Sequence, residues 1–152
     1  MNTPPTIKFL RLRHGSDADI PLPCYMTPRA AGMDICAAIE TDFILEKGAV
    51  ALIPTGFAVA IPEGFEIQIR PRSGLAVNHG IGIINSPGTI DADYRGEIKI
   101  AVINLGENKY AFRRGDRIAQ MVVNKVYQAK LKVVEQLDET DRNTGGFGHT
   151  GR

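Results

Sequence analysis

The sequence has little of what a metal centre, a disulfide framework or a polyanion-binding surface needs. Its two cysteines, Cys24 and Cys36, lack zinc-type spacing, and its three histidines, His14, His79 and His149, stand singly. A protein-built metal cage is therefore not expected, and reduced thiols packed in a core are the plainer reading of the cysteines. Charge of one sign is missing as well. A formal net charge of +1 over 152 residues argues against work on a nucleic-acid backbone, which requires a basic face. No apolar run approaches the length of a membrane span, and Met1-Asn2-Thr3-Pro4-Pro5, followed by Lys8, Arg11 and Arg13, is no signal-peptide core. The expectation is a cytoplasmic protein with neither membrane nor nucleic acid as partner. Long helical periodicity is also absent.

What the chain does have is alternation. Ile7-Lys8-Phe9, Phe65 to Arg70 and Glu97 to Asn104 exchange apolar and polar residues with period two, the signature of half-buried strands. Turn signals such as Lys47-Gly48, Pro54-Thr55-Gly56, Pro62-Glu63-Gly64 and Arg114-Gly115-Asp116 divide the chain into many short strands. One short helix is expected over Ser73 to Asn78, with Ser73 capping its first turn and Gly80 just beyond its end. The class is all-β, a sandwich or a jelly-roll-like, distorted barrel. The hydrophobic pattern stops after Leu131-Lys132-Val133-Val134, so residues 1–136 are expected to form the core and residues 137–152 a flexible C-terminal arm.

Positive charge gathers locally, in Arg70/Arg72 and in Arg113/Arg114/Arg117, which suits a small anionic ligand better than a polymer. In Arg70-Pro71-Arg72-Ser73-Gly74-Leu75-Ala76, guanidinium groups and a hydroxyl meet at a strand-to-helix junction, where free backbone N–H groups favour a phosphate and Gly74 permits close approach. A solvated, capped surface helix explains the same residues. Gly88 to Glu97, with Thr89, Ile90, Asp91, Asp93 and Tyr94, reads as a hairpin between the apolar strands Ile81 to Ile84 and Ile98 to Ile103. There an aspartate can orient and deprotonate water and a tyrosine can wall a sugar, although acids are common in turns for conformational reasons. Asp34, a lone acid in the apolar Ala31-Gly32-Met33-Asp34-Ile35, needs a partner; an edge position open to solvent or an ion pair with an arginine accounts for it as well as a role near a metal does. Gln120 is the odd polar member of its strand and by itself reads as solvent-facing. The tail from Arg142 to Arg152 combines glycines with Phe147, the parts of a lid, although a solubilising end has similar composition.

In this order the five segments resemble the five motifs of the bacterial-type homotrimeric dUTPase family, over Ala31 to Gly151. Pro71-Arg72-Ser73-Gly74-Leu75-Ala76, Ile90-Asp91-Ala92-Asp93-Tyr94 and Gly145-Gly146-Phe147-Gly148 are the most specific parts. The resemblance implies hydrolysis of dUTP to dUMP and pyrophosphate, which keeps uracil out of DNA and supplies dUMP, with Mg²⁺ carried on the triphosphate. It implies Asp91 as the carboxylate activating the water that attacks the α-phosphorus. Tyr94 would stand under the deoxyribose and leave no room for a 2′-hydroxyl. Asn85, Thr89 and Ile90 would contact the nucleoside, while Arg72, Ser73, Gly74, Gln120 and Arg142 would reach the phosphates. Asp34 would touch the metal only through water, and Phe147 with Gly148 would close over uracil. Each site would be shared between the subunits of a homotrimer. Asn143, where the family usually has glycine, and His149, where a small hydroxyl residue is common, depart from the pattern.

Two rivals remain open at this level. A dCTP deaminase would need a glutamate inside the strand after the hairpin, but Ile98 to Ile103 has none and Glu97 falls too early. A non-catalytic nucleotide-binding module is countered by intact Asp91 and Phe147.

Overall fold

The structure, a computed structural model, describes residues 4–146. Twelve short strands and one helix follow one another as β1 (Lys8–Arg11), β2 (Cys24–Tyr25), β3 (Met33–Cys36), β4 (Phe43–Leu45), β5 (Val50–Pro54), β6 (Phe57–Ala60), β7 (Phe65–Arg70), α1 (Ser73–His79), β8 (Ile81–Ile83), β9 (Gly88–Ile90), β10 (Lys99–Asn104), β11 (Tyr110–Phe112) and β12 (Arg117–Lys125). The mostly-β class is as expected, and β7 coincides with the alternating run from Phe65 to Arg70.

The strands do not close into a barrel. They divide into a five-stranded sheet ordered β2-β3-β12-β7-β9, a three-stranded sheet β5-β10-β8, and the pairs β1-β6 and β4-β11. Most strands are only a few residues long and end in glycine or proline turns, so few carry hydrogen bonding far enough to join one sheet to the next. The nine-residue β12 is the spine: it pairs with β3 on one edge and β7 on the other, with a register shift between Arg117 and Ala119. Alternation then sorts the side chains. Ile67 and Ile69 of β7 and Ala119 and Met121 of β12 enter the core, whereas Glu66, Gln68, Arg70 and Gln120 take the other face.

The core is rich in isoleucine, including Ile35, Ile53, Ile67, Ile98, Ile100 and Ile118, joined by Phe112 and Met121, all essentially without solvent contact. β-branched side chains fit a pleated, buried surface, and each contributes about 1.5–3 kcal/mol through burial. Cys36 is buried as expected, but Cys24 is exposed on the two-residue edge strand β2, where it has no core to enter; both thiols are free.

Helix α1 starts as expected but is capped differently. Ser73 is its first residue, Arg72 occupies the N-cap in extended conformation, and no side chain caps the first turn. Ser73 is one position too late for that role because Arg72 is the residue whose carbonyl accepts the first helical bond, from Ala76. Gly80 ends the helix with φ of 69°, its N–H returning to Ala76 and Leu75. No helix among the described residues is long and apolar enough to cross a membrane. Residues 126–146 form neither helix nor strand, and Leu131 and Val133 are exposed although they alternate like a strand.

Candidate active site

The region from Ile81 to Ile103 folds otherwise than as a simple hairpin. β8 and β10 pair antiparallel as expected, Val102 opposite Ile83, but the connection between them sends β9 across to the five-stranded sheet, where Ile90 faces Ile67 and Thr89 faces Gln68. Asp91 follows at once. The chain then turns, with the Tyr94 N–H bonded to the Asp91 carbonyl at 3.1 Å and Arg95 Nη1 braced on the carbonyls of Ala92 and Tyr94. Tyr94, 43% exposed, donates its hydroxyl to the Glu97 carbonyl at 3.1 Å and lies over Gly96, where a Cβ would come 2.3 Å from the hydroxyl oxygen.

Two hollows meet at Asp91. One, of about 370 Å³, is lined by Thr89, Ile90, Asp91 and Tyr94 together with Leu52, Glu97, Ile98 and Lys99. The other, of about 610 Å³, lies between Asp91, Ala92 and Asp93 and the segments Glu63 to Glu66 and Val126 to Gln128. Asn85 is exposed, its amide close to Gly88 at the start of β9.

A separate polar cluster surrounds Asp34. This carboxylate is 6% exposed and accepts hydrogen bonds from Arg117 Nη1 at 3.0 Å and Gln120 Nε2 at 3.2 Å, while Arg72 Nε stands 3.6 Å away. Of the alternatives open to Asp34 in the sequence, the solvent-open edge is not the one found, and the chain itself supplies arginine. Gln120 is half-buried and engaged rather than solvent-facing. Arg72 also donates to the Arg117 carbonyl at 2.9 Å, so Arg117, counted in the sequence only among locally gathered cations, is integral to the cluster. Its only sequence signal is a second cation on the strand opposite Asp34. Ser73 and Gly74 lie exposed beside it, with nothing near the place of a Gly74 Cβ. Cys36 adjoins the cluster, and burial, then the charge of Asp34, pushes its thiol pKa up.

These two groups are not brought together within one chain. Asp34 is on β3 and Ile90 on β9, three strand spacings apart in the five-stranded sheet, or about 14 Å by the usual separation. Arg142 lies farther along the chain, exposed and donating to the Gly145 carbonyl at 2.7 Å; Asn143 takes a left-handed φ of 39°. Phe147, Gly148 and His149 lie outside the described residues.

Comparison with known proteins decides the family. A family model described as dUTPase matches residues 18–151. The chain belongs to the dUTPase family. The activity that accompanies this membership is that of a dUTP diphosphatase. The deoxyuridine 5′-triphosphate nucleotidohydrolase of Desulfotalea psychrophila is 53% identical over 145 residues, covering 95% of this chain and 97% of that protein. Its counterpart from Rhizobium etli is 53% identical over 152 residues, covering 99% and 96%. Among solved structures, the dUTPase of Staphylococcus bacteriophage 80alpha with dUpNHpp superposes with a TM-score of 0.85 at 27% identity, over 97% of this chain and 99% of that one. A variant of the dUTPase of the S. aureus phage phi11, described with a structural Mg(II) ion, gives a TM-score of 0.77 at 26% identity, over 88% and 99%.

Proposed function

We propose that the chain hydrolyses dUTP to dUMP and pyrophosphate, with Asp91 as the general base that takes a proton from the water attacking the α-phosphorus. The observation that carries this reading is the hollow in which an exposed carboxylate, Asp91, and an aromatic ring, Tyr94, project from one tight turn beside the β9 backbone. A nucleoside placed there has Thr89, Ile90 and Asn85 at its edge and Tyr94 against its sugar, so a 2′-hydroxyl would meet the ring. Catalysis then rests on positioning and on charge stabilisation.

Arg72, Ser73, Gly74 and Gln120 hold the phosphates, joined by Arg142 and, from the arm, Phe147 and Gly148 over the base. The separation of the Asp34 cluster, with Arg72 beside it, from β9 and Asp91 supports a site assembled from different subunits of a homotrimer. An apolar face supports the same assembly: Val50 and Leu52 of β5 and Ile84 are exposed on the outside of the three-stranded sheet, and Leu52 also lines the Asp91 hollow. Residues 137–152 act as the arm that closes each site, around the core of residues 1–136.

Magnesium belongs with the substrate. No group of three His, Cys, Asp or Glu residues among those described is arranged to hold a metal ion, and both oxygens of Asp34 are already engaged. The residues therefore do not form a resident metal site; Mg²⁺ would come with the triphosphate, a hard cation suited to oxygen ligands, and Asp34 would reach it through water only. Glu97, the one acid near the strand where a deaminase would need one, has its carboxylate turned to Arg13 and to the Gly56 N–H.

Hydrolysis of dUTP with Mg²⁺ in ¹⁸O-labelled water tests substrate, products and attacked atom together. Label in dUMP is expected. Label in pyrophosphate would contradict attack at the α-phosphorus, and ammonia from dCTP at a comparable rate would point to deamination.

A further inference from the structure

We propose that Glu97 is a positioning residue: by tying the Asp91–Glu97 turn to a buried ionic anchor in the N-terminal segment, it sets where the Tyr94 ring stands and thereby how strongly a ribonucleotide is refused. The inference rests on the reading of Tyr94 as the sugar wall.

The ring has little else to fix it. It is 43% exposed, rests on Gly96, and its hydroxyl is held by one bond, to the backbone carbonyl of Glu97. The ring therefore follows the Glu97 backbone. That backbone is held in turn by the Glu97 side chain, whose Oε1 accepts the Gly56 N–H at 2.9 Å and Arg13 Nη2 at 3.2 Å and is only 15% exposed. The next residue repeats the attachment: the Ile98 N–H reaches the Phe57 carbonyl at 3.0 Å, and Thr55 Oγ1 donates to the Ile98 carbonyl at 2.6 Å.

Arg13 is not a loose surface cation. Its Nε donates to Asp17 Oδ2 at 2.7 Å, and Asp17, 2% exposed, is also held by Arg114 Nη2 at 3.1 Å. Arg114 is further fastened to Asp19 and to the carbonyls of Ile39 and Ser16. Glu97 thus joins the turn to a charge network whose centre is buried, where bonds between ionised groups are stronger and better defined than on an open surface. A wall that discriminates by contact must be placed to within a fraction of an ångström.

The test compares kcat/KM for dUTP and UTP, each with Mg²⁺, in the wild-type protein, Glu97→Ala, Arg13→Met, Tyr94→Ala and the double variant Glu97→Ala/Tyr94→Ala. Val102→Ala, a core change away from the turn, serves as a control for lost stability. Glu97→Ala is expected to lower the dUTP/UTP ratio about tenfold, the scale of losing one packing contact of methylene size, and Arg13→Met to lower it by less. Glu97→Gln, which can still accept from Gly56, should restore much of it. The double variant should match Tyr94→Ala, because Glu97 acts through the ring. An unchanged ratio in Glu97→Ala and Arg13→Met, a drop equal to that of Val102→Ala, or additive losses in the double variant would each overturn the proposal. Should Glu97→Ala not fold, Arg13→Met and Glu97→Gln carry the comparison. An unchanged ratio in Tyr94→Ala would instead remove the sugar-wall reading itself.

Discussion

Asp91 is exposed at the meeting of two hollows, and among the described residues no cation pairs with it. Its carboxylate is thus available to accept a proton, which an amide cannot do. Asp91→Asn should lower turnover by about 10²–10⁴-fold, the usual range for a lost general base, while calorimetry with dUpNHpp shows nearly unchanged binding; full turnover would remove Asp91 from the role. Cys36 offers a pH-dependent check on the neighbouring cluster. Burial and the charge of Asp34 raise its thiol pKa above the usual range, so the folded state favours the protonated form. The associated stability is present below the ordinary thiol pKa and is lost as pH rises through the folded value. Iodoacetamide at pH 8 should modify Cys36 much more slowly in the native protein than in urea, with the native rate rising only at more alkaline pH; equal rates would contradict it. At this scale the sequence exposed Asp34's need for a partner, since an unpaired carboxylate in an apolar strand is costly. It did not expose Arg117 or the engagement of Gln120, because register across β3 and β12 decides which side chains meet.

Helix α1 depends on its last turn more than on its first. Gly80 has φ of 69°, and a Cβ there would lie 2.4 Å from the Gly106 nitrogen, a backbone atom that cannot swing aside. Gly80→Ala therefore combines left-handed strain, about 1–2 kcal/mol, with displacement of the Leu105–Gly106 turn. A urea midpoint lowered by more than the strain alone accounts for is expected; a wild-type midpoint would show that the turn yields freely. Strand β7 was legible from its strict alternation and the end of the helix from Gly80, whereas the cap read at Ser73 falls on Arg72. The path of β9 was not. Gly88-Thr89-Ile90 carries no local signal that it should pair with β7 rather than simply prolong a hairpin, since pairing between distant segments is set by tertiary contacts.

At the scale of the whole molecule, the apolar outer face of the three-stranded sheet and the cleft at Asp91 share Leu52, which is 63% exposed. Leu52→Lys should shift sedimentation towards the monomer and reduce dUTP hydrolysis with it; an intact trimer would separate this face from assembly. The mostly-β class could be read from the chain, and so could the placing of Asp91 and Tyr94 on one turn, because both leave short-range marks. The division into four sheets could not, since it depends on where short strands stop pairing. The distance between Asp34 and β9 also has a genetic meaning. If a complete site draws its phosphate cradle and its base from different copies, defects in the two are separable. Chains carrying Arg72→Ala and chains carrying Asp91→Asn, each inactive alone, should regain part of the dUTPase activity when unfolded and refolded as a mixture, because some mixed assemblies then unite an intact Arg72 with an intact Asp91. Two damaged alleles would complement each other.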